Sequence, residues 1–205
     1  MNYYLVLDLE MSGMEVGWHE ILQIGAVLYD QNWHELGQFL DDACPENKEA
    51  FSTSAEKVHG LSWDELQDAA MIYDLLPEFE DWILEKINIK NPTLADRENA
   101  LRKVVICGQS VINDINFLRH AYQQEKMKWN FANALIDLHT LFFFYEEILR
   151  ANNRETARGR SLGKIAALFG YHREDTLHNA LEDAILTGKC LKHIFESAKE
   201  LKFPS

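Results

Sequence analysis

Asp8 and Glu10 stand two residues apart at the end of an apolar run that begins at Tyr3. On a strand this spacing puts both carboxylates on one face, beside Tyr4 and Val6. An unpaired carboxylate there is expensive, whereas two that share a divalent cation have their repulsion turned into coordination. Two solvated acids at a fraying strand end are the ordinary alternative, and these residues alone do not choose. His178 and Asp183 form a second pair, five positions apart. Within one helix they would diverge by about 140°. They face one site only if His178 precedes the helix proper, with His178 or Asn179 near the N-cap. Asp183 then lies in an early turn, where the helix dipole favours an anion. Asp114 opens a helix just after a short apolar segment, a common place for functional groups in α/β proteins. Taken singly, His178 is an ordinary partly exposed histidine, Asp183 a solvated helix acid and Asp114 a first-turn acid.

The elements that would position these groups follow from periodicity. Tyr3 to Leu9 is apolar on both alternating faces, as a central strand covered on two sides must be. Ile21 to Tyr29 repeats that character and Trp33 to Leu40 follows with weaker alternation, so the first three strands form an antiparallel meander. Ser62 to Glu65 has capping-box spacing, and Ile72, Leu75, Leu76, Phe79, Ile83 and Ile87 then recur at helical intervals, predicting a long amphipathic helix. Asn88 to Asn99, polar and carrying Pro92, reads as a surface loop before the buried strand Val104 to Gly108. A helix from Val111 to Gln124, a short strand at Leu135 to Leu138 and a helix from Leu141 to Leu149 come next. Arg150 to Arg160 is a polar, basic interruption; a short helix spans Ser161 to Phe169 and the last runs from Asn179 to Ala198. The sum is one α/β domain over residues 1–205, with a mixed sheet flanked by helices and no dividing linker.

The 205 residues, 47% apolar and 26% charged, suffice for a folded core without staples. No apolar run approaches a membrane span, and the start shows no basic leader, so a soluble, cytoplasmic protein without membrane partners is expected. Cys44, Cys107 and Cys190 are too far apart for a metal or disulfide pattern and are expected to be reduced. A net charge of −13 argues against coating nucleic acid with a basic surface. It leaves a nucleic-acid enzyme open, since cations held by the acids would cancel part of it locally.

Joined in order, the segments resemble the DnaQ-like 3′-to-5′ exonucleases of the DEDDh group, which have a ribonuclease-H-like fold. Leu7-Asp8-Leu9-Glu10-Met11-Ser12-Gly13, continued by Glu20 to Val27, is similar to their first motif. Gly108 to Leu118 resembles the second, with Asp114 at the acidic position, and His178-Asn179-Ala180-Leu181-Glu182-Asp183 the third. Val58-His59-Gly60-Leu61-Ser62 and Ser161-Leu162 also resemble family segments. The likeness runs from Leu5 to about Ile194. Motif two departs from the usual pattern at Gln109, Ser110 and Asn113, where His-Asn and an aromatic residue are frequent.

The resemblance implies phosphodiester hydrolysis from a free 3′ end of single-stranded DNA or RNA, releasing nucleoside 5′-monophosphates. Asp8, Glu10, Asp114 and Asp183 would hold two Mg²⁺ ions, with Mn²⁺ a substitute, and His178 would take the proton of the attacking water. Met11, Ser12, Gly13 and Met14 would line the terminal-nucleotide pocket, and His59 would touch its sugar or phosphate. A plain turn with core methionines and a loop histidine are the structural alternatives. Arg150, Arg154, Arg158 and Arg160 give an eleven-residue segment with one acid a local charge of +3. Arg154 and Arg158 are therefore expected to bind upstream phosphates rather than merely to solvate a loop. An idle nucleic-acid-binding or adaptor module and a ribonuclease-H-like endonuclease are the competing readings. The sequence names no oligomeric partner.

Overall fold

The computed structural model describes residues 2–173 and 179–201. A five-stranded sheet runs β3-β2-β1-β4-β5, built from β1 (Tyr3–Met11), β2 (Ile21–Tyr29), β3 (Glu35–Asp42), β4 (Val104–Gly108) and β5 (Leu135–Asp137). β1 to β3 form the expected antiparallel meander, while β4 pairs parallel with both β1 and β5. Alternation along β1 divides the interior. Leu5, Leu7 and Leu9 face a core completed by α3 (Ile72–Lys86) and α5 (Ile112–Gln124). Val6 faces the other core, completed by α6 (Leu138–Ala151), α7 (Leu162–Leu168) and α8 (Ala180–Ala198). Asp8 and Glu10 continue the Val6 face, beneath α8. The sheet is mixed and helix-flanked, as expected.

Three local expectations are corrected and one helix is added. The Ser62–Glu65 capping box is real but closes only a four-residue α2 (Trp63–Leu66), and α3 starts separately at Ile72. An unanticipated α1 (Thr53–His59) precedes it and ends on left-handed Gly60. The supposed loop through Asn99 contains α4 (Leu94–Leu101), whose Thr93 and Asp96 make a capping box. Tertiary contact holds this helix: Arg97 binds the buried Glu80 of α3 at 2.9 Å and also pairs with Asp81. Trp33 is not in a strand, because it turns the chain at φ +61° and stacks on Tyr4 with ring centroids 4.6 Å apart. Cys107 and Cys190 are buried, Cys44 partly so, and all three are free thiols. Among the described residues no helix is long and apolar enough to cross a membrane.

Candidate active site

β1, β4 and β5 run parallel, so their C-terminal ends share one edge of the sheet. Three separate segments bring carboxylates there. Asp8 and Glu10 come from β1. Asp114 comes from the first turn of α5, which follows β4 through Ser110, a residue in the left-handed region at φ +54°. β1–β4 pairing ends at Val6 and Cys107; further along, the Leu9 N–H donates to Asp114 Oδ1 at 3.1 Å. This bond ties the second acidic segment to the first.

Asp183 comes from the first turn of α8, and its approach depends on β2. Gly25 pairs with Asp8 across the sheet, and a Cβ at Gly25 would lie 2.1 Å from the Ala180 carbonyl carbon. No side chain fits between the strand and the start of α8. Beside it, the buried Gln23 accepts a hydrogen bond from Ala180 N at 3.1 Å and donates to Asp42 at 2.7 Å. Asn179 caps the helix by accepting from Leu181 and Glu182. The expectation that α8 starts after residue 178 holds for its boundary; His178 itself lies outside the described residues.

Glu10, Asp114 and Asp183 are all buried. Burial is the first cause that pushes the Asp8 carboxyl well above the usual carboxylate range; the charges of Asp114, Asp183 and Glu10 add to it. Burial, then Asp183 and Asp114, raise Glu10 to about 7. Burial also raises Asp114 to about 7, against the lowering effect of its backbone hydrogen bonds. Asp8 and Glu10 thus feel the charges of Asp114 and Asp183, while the charge that raises Asp114 is that of Asp137. Arg173 enters the cluster by donating to Asp183 Oδ2 at 2.6 Å, and its charge favours ionised Asp8 and Glu10.

An open cleft of about 490 Å³ lies over the cluster, lined by Asp8, Asp183, Arg173, Gln109 and the start of α7 from Ser161 to Gly163. Among the described residues, no group of three or more acidic, histidine or cysteine side chains is already disposed to hold a metal ion. The donor set nevertheless fits a hard divalent cation: oxygen atoms only, largely buried, and mutually repelling until a positive charge arrives. A guanidinium already occupies that electrostatic role at Asp183.

The remaining expected residues are placed as follows. Met11 packs against the core, and Met14 projects with 75% of its surface exposed. Ser12 is buried and committed internally, its N–H donating to Glu20 O and its Oγ accepting from Glu20 N, both at 2.9 Å. Gly13 packs so tightly on His19 that a Cβ would overlap the ring. His59 is buried at the end of α1, where Nδ1 accepts from Leu61 N at 3.0 Å. The arginine cluster divides: Arg150 and Arg160 pair with Glu146, and Arg150 also with Glu147, whereas Arg154 and Arg158 are exposed. Gln23 and Gly25, which seat α8, were missed, although a glutamine and a glycine within an otherwise apolar strand were a legible signal. Arg173 had none.

A family model described as exonuclease, RNase_T, matches residues 5–191. The nuclease domain of 3′hExo, a DEDDh family member solved bound to rAMP, is similar at a TM-score of 0.73 and 17% identity, covering 100% of this chain and 96% of that one. E. coli Exonuclease I in complex with a 5cy-dT13 oligonucleotide is similar at a TM-score of 0.73 and 14% identity, over 98% of this chain and 43% of that one. A zinc-bound E. coli Exonuclease I complex with single-stranded DNA gives a TM-score of 0.73 at 15% identity, again over 98% and 43%. At these identities the likeness establishes a shared fold. This chain spans less than half of Exonuclease I. No curated protein matches the sequence.

Proposed function

The chain belongs to the exonuclease family matched over residues 5–191, and from that premise we propose that it is a divalent-metal-dependent 3′-to-5′ exonuclease of single-stranded DNA or RNA. One observation carries the reading: three separate segments deliver Asp8, Glu10, Asp114 and Asp183 to one end of the sheet, where the charges of Asp114 and Asp183 raise the proton affinity of both Asp8 and Glu10. Solved relatives described as bound to rAMP, to oligonucleotides and to single-stranded DNA support the substrate class.

Asp8, Glu10, Asp114 and Asp183 would hold two Mg²⁺ ions, for which Mn²⁺ could substitute. When bound, such ions supply an activated water and neutralise charge developing at the phosphate. The protein's own tasks are distinct. The Leu9 N–H fixes Asp114, and Gln23 with Asn179 fixes the helix that carries Asp183. His178, which directly precedes Asn179 in the sequence, is assigned as the acceptor of the attacking water's proton. The loop from Met11 to Met14, with His59, receives the terminal nucleotide, and nucleoside 5′-monophosphates leave. Ser12 and Gly13 serve by shaping this loop, since their groups are already engaged. Arg154 and Arg158 bind upstream phosphates. Residues 1–205 act as one catalytic domain in the cytoplasm.

Paired linear and circular single-stranded substrates test the reading. An exonuclease shortens the linear strand and leaves the circle intact. An opened circle identifies an endonuclease, and two uncut substrates an idle binding module.

A further inference from the structure

The β4–β5 side of the cleft is walled by residues that the chemistry above does not use. Gln109 lines the cleft beside Asp8 and donates Nε2 to the Arg160 carbonyl at 2.9 Å. Glu146 of α6 is buried, and Arg160 Nε donates to it at 2.7 Å. These two anchors fix Arg160 between the cleft and α6. Its guanidinium carbon rests 4.3 Å from the ring centroid of Phe143. Phe143 is nonetheless 54% exposed and its neighbour Phe144 64%. Two large aromatic side chains on an outer helix face have no folding task, and the apolar surface they expose calls for a partner. Arg154 and Arg158 stand exposed in the adjoining segment, with no ion pair among the described residues. This is a patch of positive charge in a chain of net −13.

We propose that Phe143, with Arg160 stacked on it, forms a platform on which bases of single-stranded nucleic acid stack upstream of the scissile bond. The inference rests on the exonuclease reading and deepens it. Aromatic faces interleaved with arginines suit single strands, because every base has a π face and every link a phosphate. The sheet order supports the direction. The loop from Met11 to Met14 leaves β1 towards β2, whereas Gln109, Arg160 and α6 lie on the opposite, β4–β5 side of the acids. A strand with its 3′ end in that loop therefore runs out across the platform. A second copy of the chain is a poorer occupant, because a two-fold contact through this patch would bring two positively charged patches together.

The test compares wild type, Phe143→Ala and Phe143→Trp on oligonucleotides of two to eight residues sharing one 3′ end. It also measures anisotropy of a labelled octanucleotide in chelator. Phe143→Ala is expected to lower the octanucleotide-to-dinucleotide ratio of kcat/KM roughly five- to hundredfold, mainly through KM, and to weaken chelated binding similarly. Phe143→Trp should restore both, with its indole fluorescence quenched by the octanucleotide. A wild-type ratio and wild-type binding in Phe143→Ala overturn the platform, as does a change in sedimenting mass with the ratio unaltered. A wild-type protein that cuts no length contradicts the exonuclease reading instead, and the chelated binding measurement then still decides the platform.

Discussion

Without metal, the acid cluster should weaken the fold at neutral and alkaline pH, and replacing Glu10 with Gln should reveal by how much. Glu10 rises from an ordinary 4.5 to about 7 on folding, so the folded chain binds its proton more tightly than the unfolded one. Stability from this group is complete below about pH 4.5 and is lost as pH rises through about 7. At 1.36 kcal/mol per unit, the loss by pH 8 is roughly 3 kcal/mol. Asp8 and Asp114, raised by the same burial, act in the same direction. The lowered carboxyls of Asp30, Glu65, Asp96 and Glu98 exert their effect below the usual carboxylate range and leave this window undisturbed. Thermal melts in chelator from pH 5 to 8 should therefore show wild type falling relative to Glu10→Gln. At pH 8 the variant should melt up to roughly 10 °C higher, since 1 kcal/mol moves a chain of this size by about 2–4 °C. Saturating Mg²⁺ should reverse the order by stabilising wild type through mass action. A variant that melts no higher than wild type at pH 8 in chelator would refute the reasoning.

His178→Ala should retain Mg²⁺ and oligonucleotide binding while lowering kcat by roughly 10²- to 10⁴-fold; lost binding with kcat retained at saturation would contradict its assignment as proton acceptor. Gln23→Ala leaves the buried Ala180 N–H without its 3.1 Å acceptor. Denaturant titration should read about 1–3 kcal/mol of lost stability, and kcat should fall with it because the start of α8 carries Asp183. Replacing both Arg154 and Arg158 with Gln should weaken long single strands regardless of sequence and reduce the log–log salt slope by about 0.7 for each phosphate no longer neutralised. An unaltered slope would mark the segment as surface only.

The mixed sheet, the meander and the start of α8 were legible because local and global signals agree there. Continuous apolar runs marked the doubly covered strands, and the lone acids within them marked the site edge. Helices α1 and α4 were hidden by short, polar sequences. Arg97 shows why: its partner Glu80 lies in another helix, and no local pattern reports that pairing. Loop geometry was equally silent. Ser12 and His59 were expected to face substrate; the structure shows their hydrogen bonds to Glu20 and to Leu61, which no local pattern announces. The arginine cluster was visible as charge, but only the buried Glu146 separates the two paired arginines from the two without an ion pair among the described residues.

The acids gathered around Asp8 are proposed to support metal-dependent removal of nucleotides from a 3′ end. A 5′-labelled single strand, incubated with wild type or Asp8→Ala in Mg²⁺ or in chelator, tests it most directly, with circular dichroism verifying the variant's fold. Wild type in Mg²⁺ should give a ladder that shortens stepwise from the 3′ end, abolished by chelator and by Asp8→Ala. Undiminished, chelator-resistant turnover by folded Asp8→Ala would contradict the account.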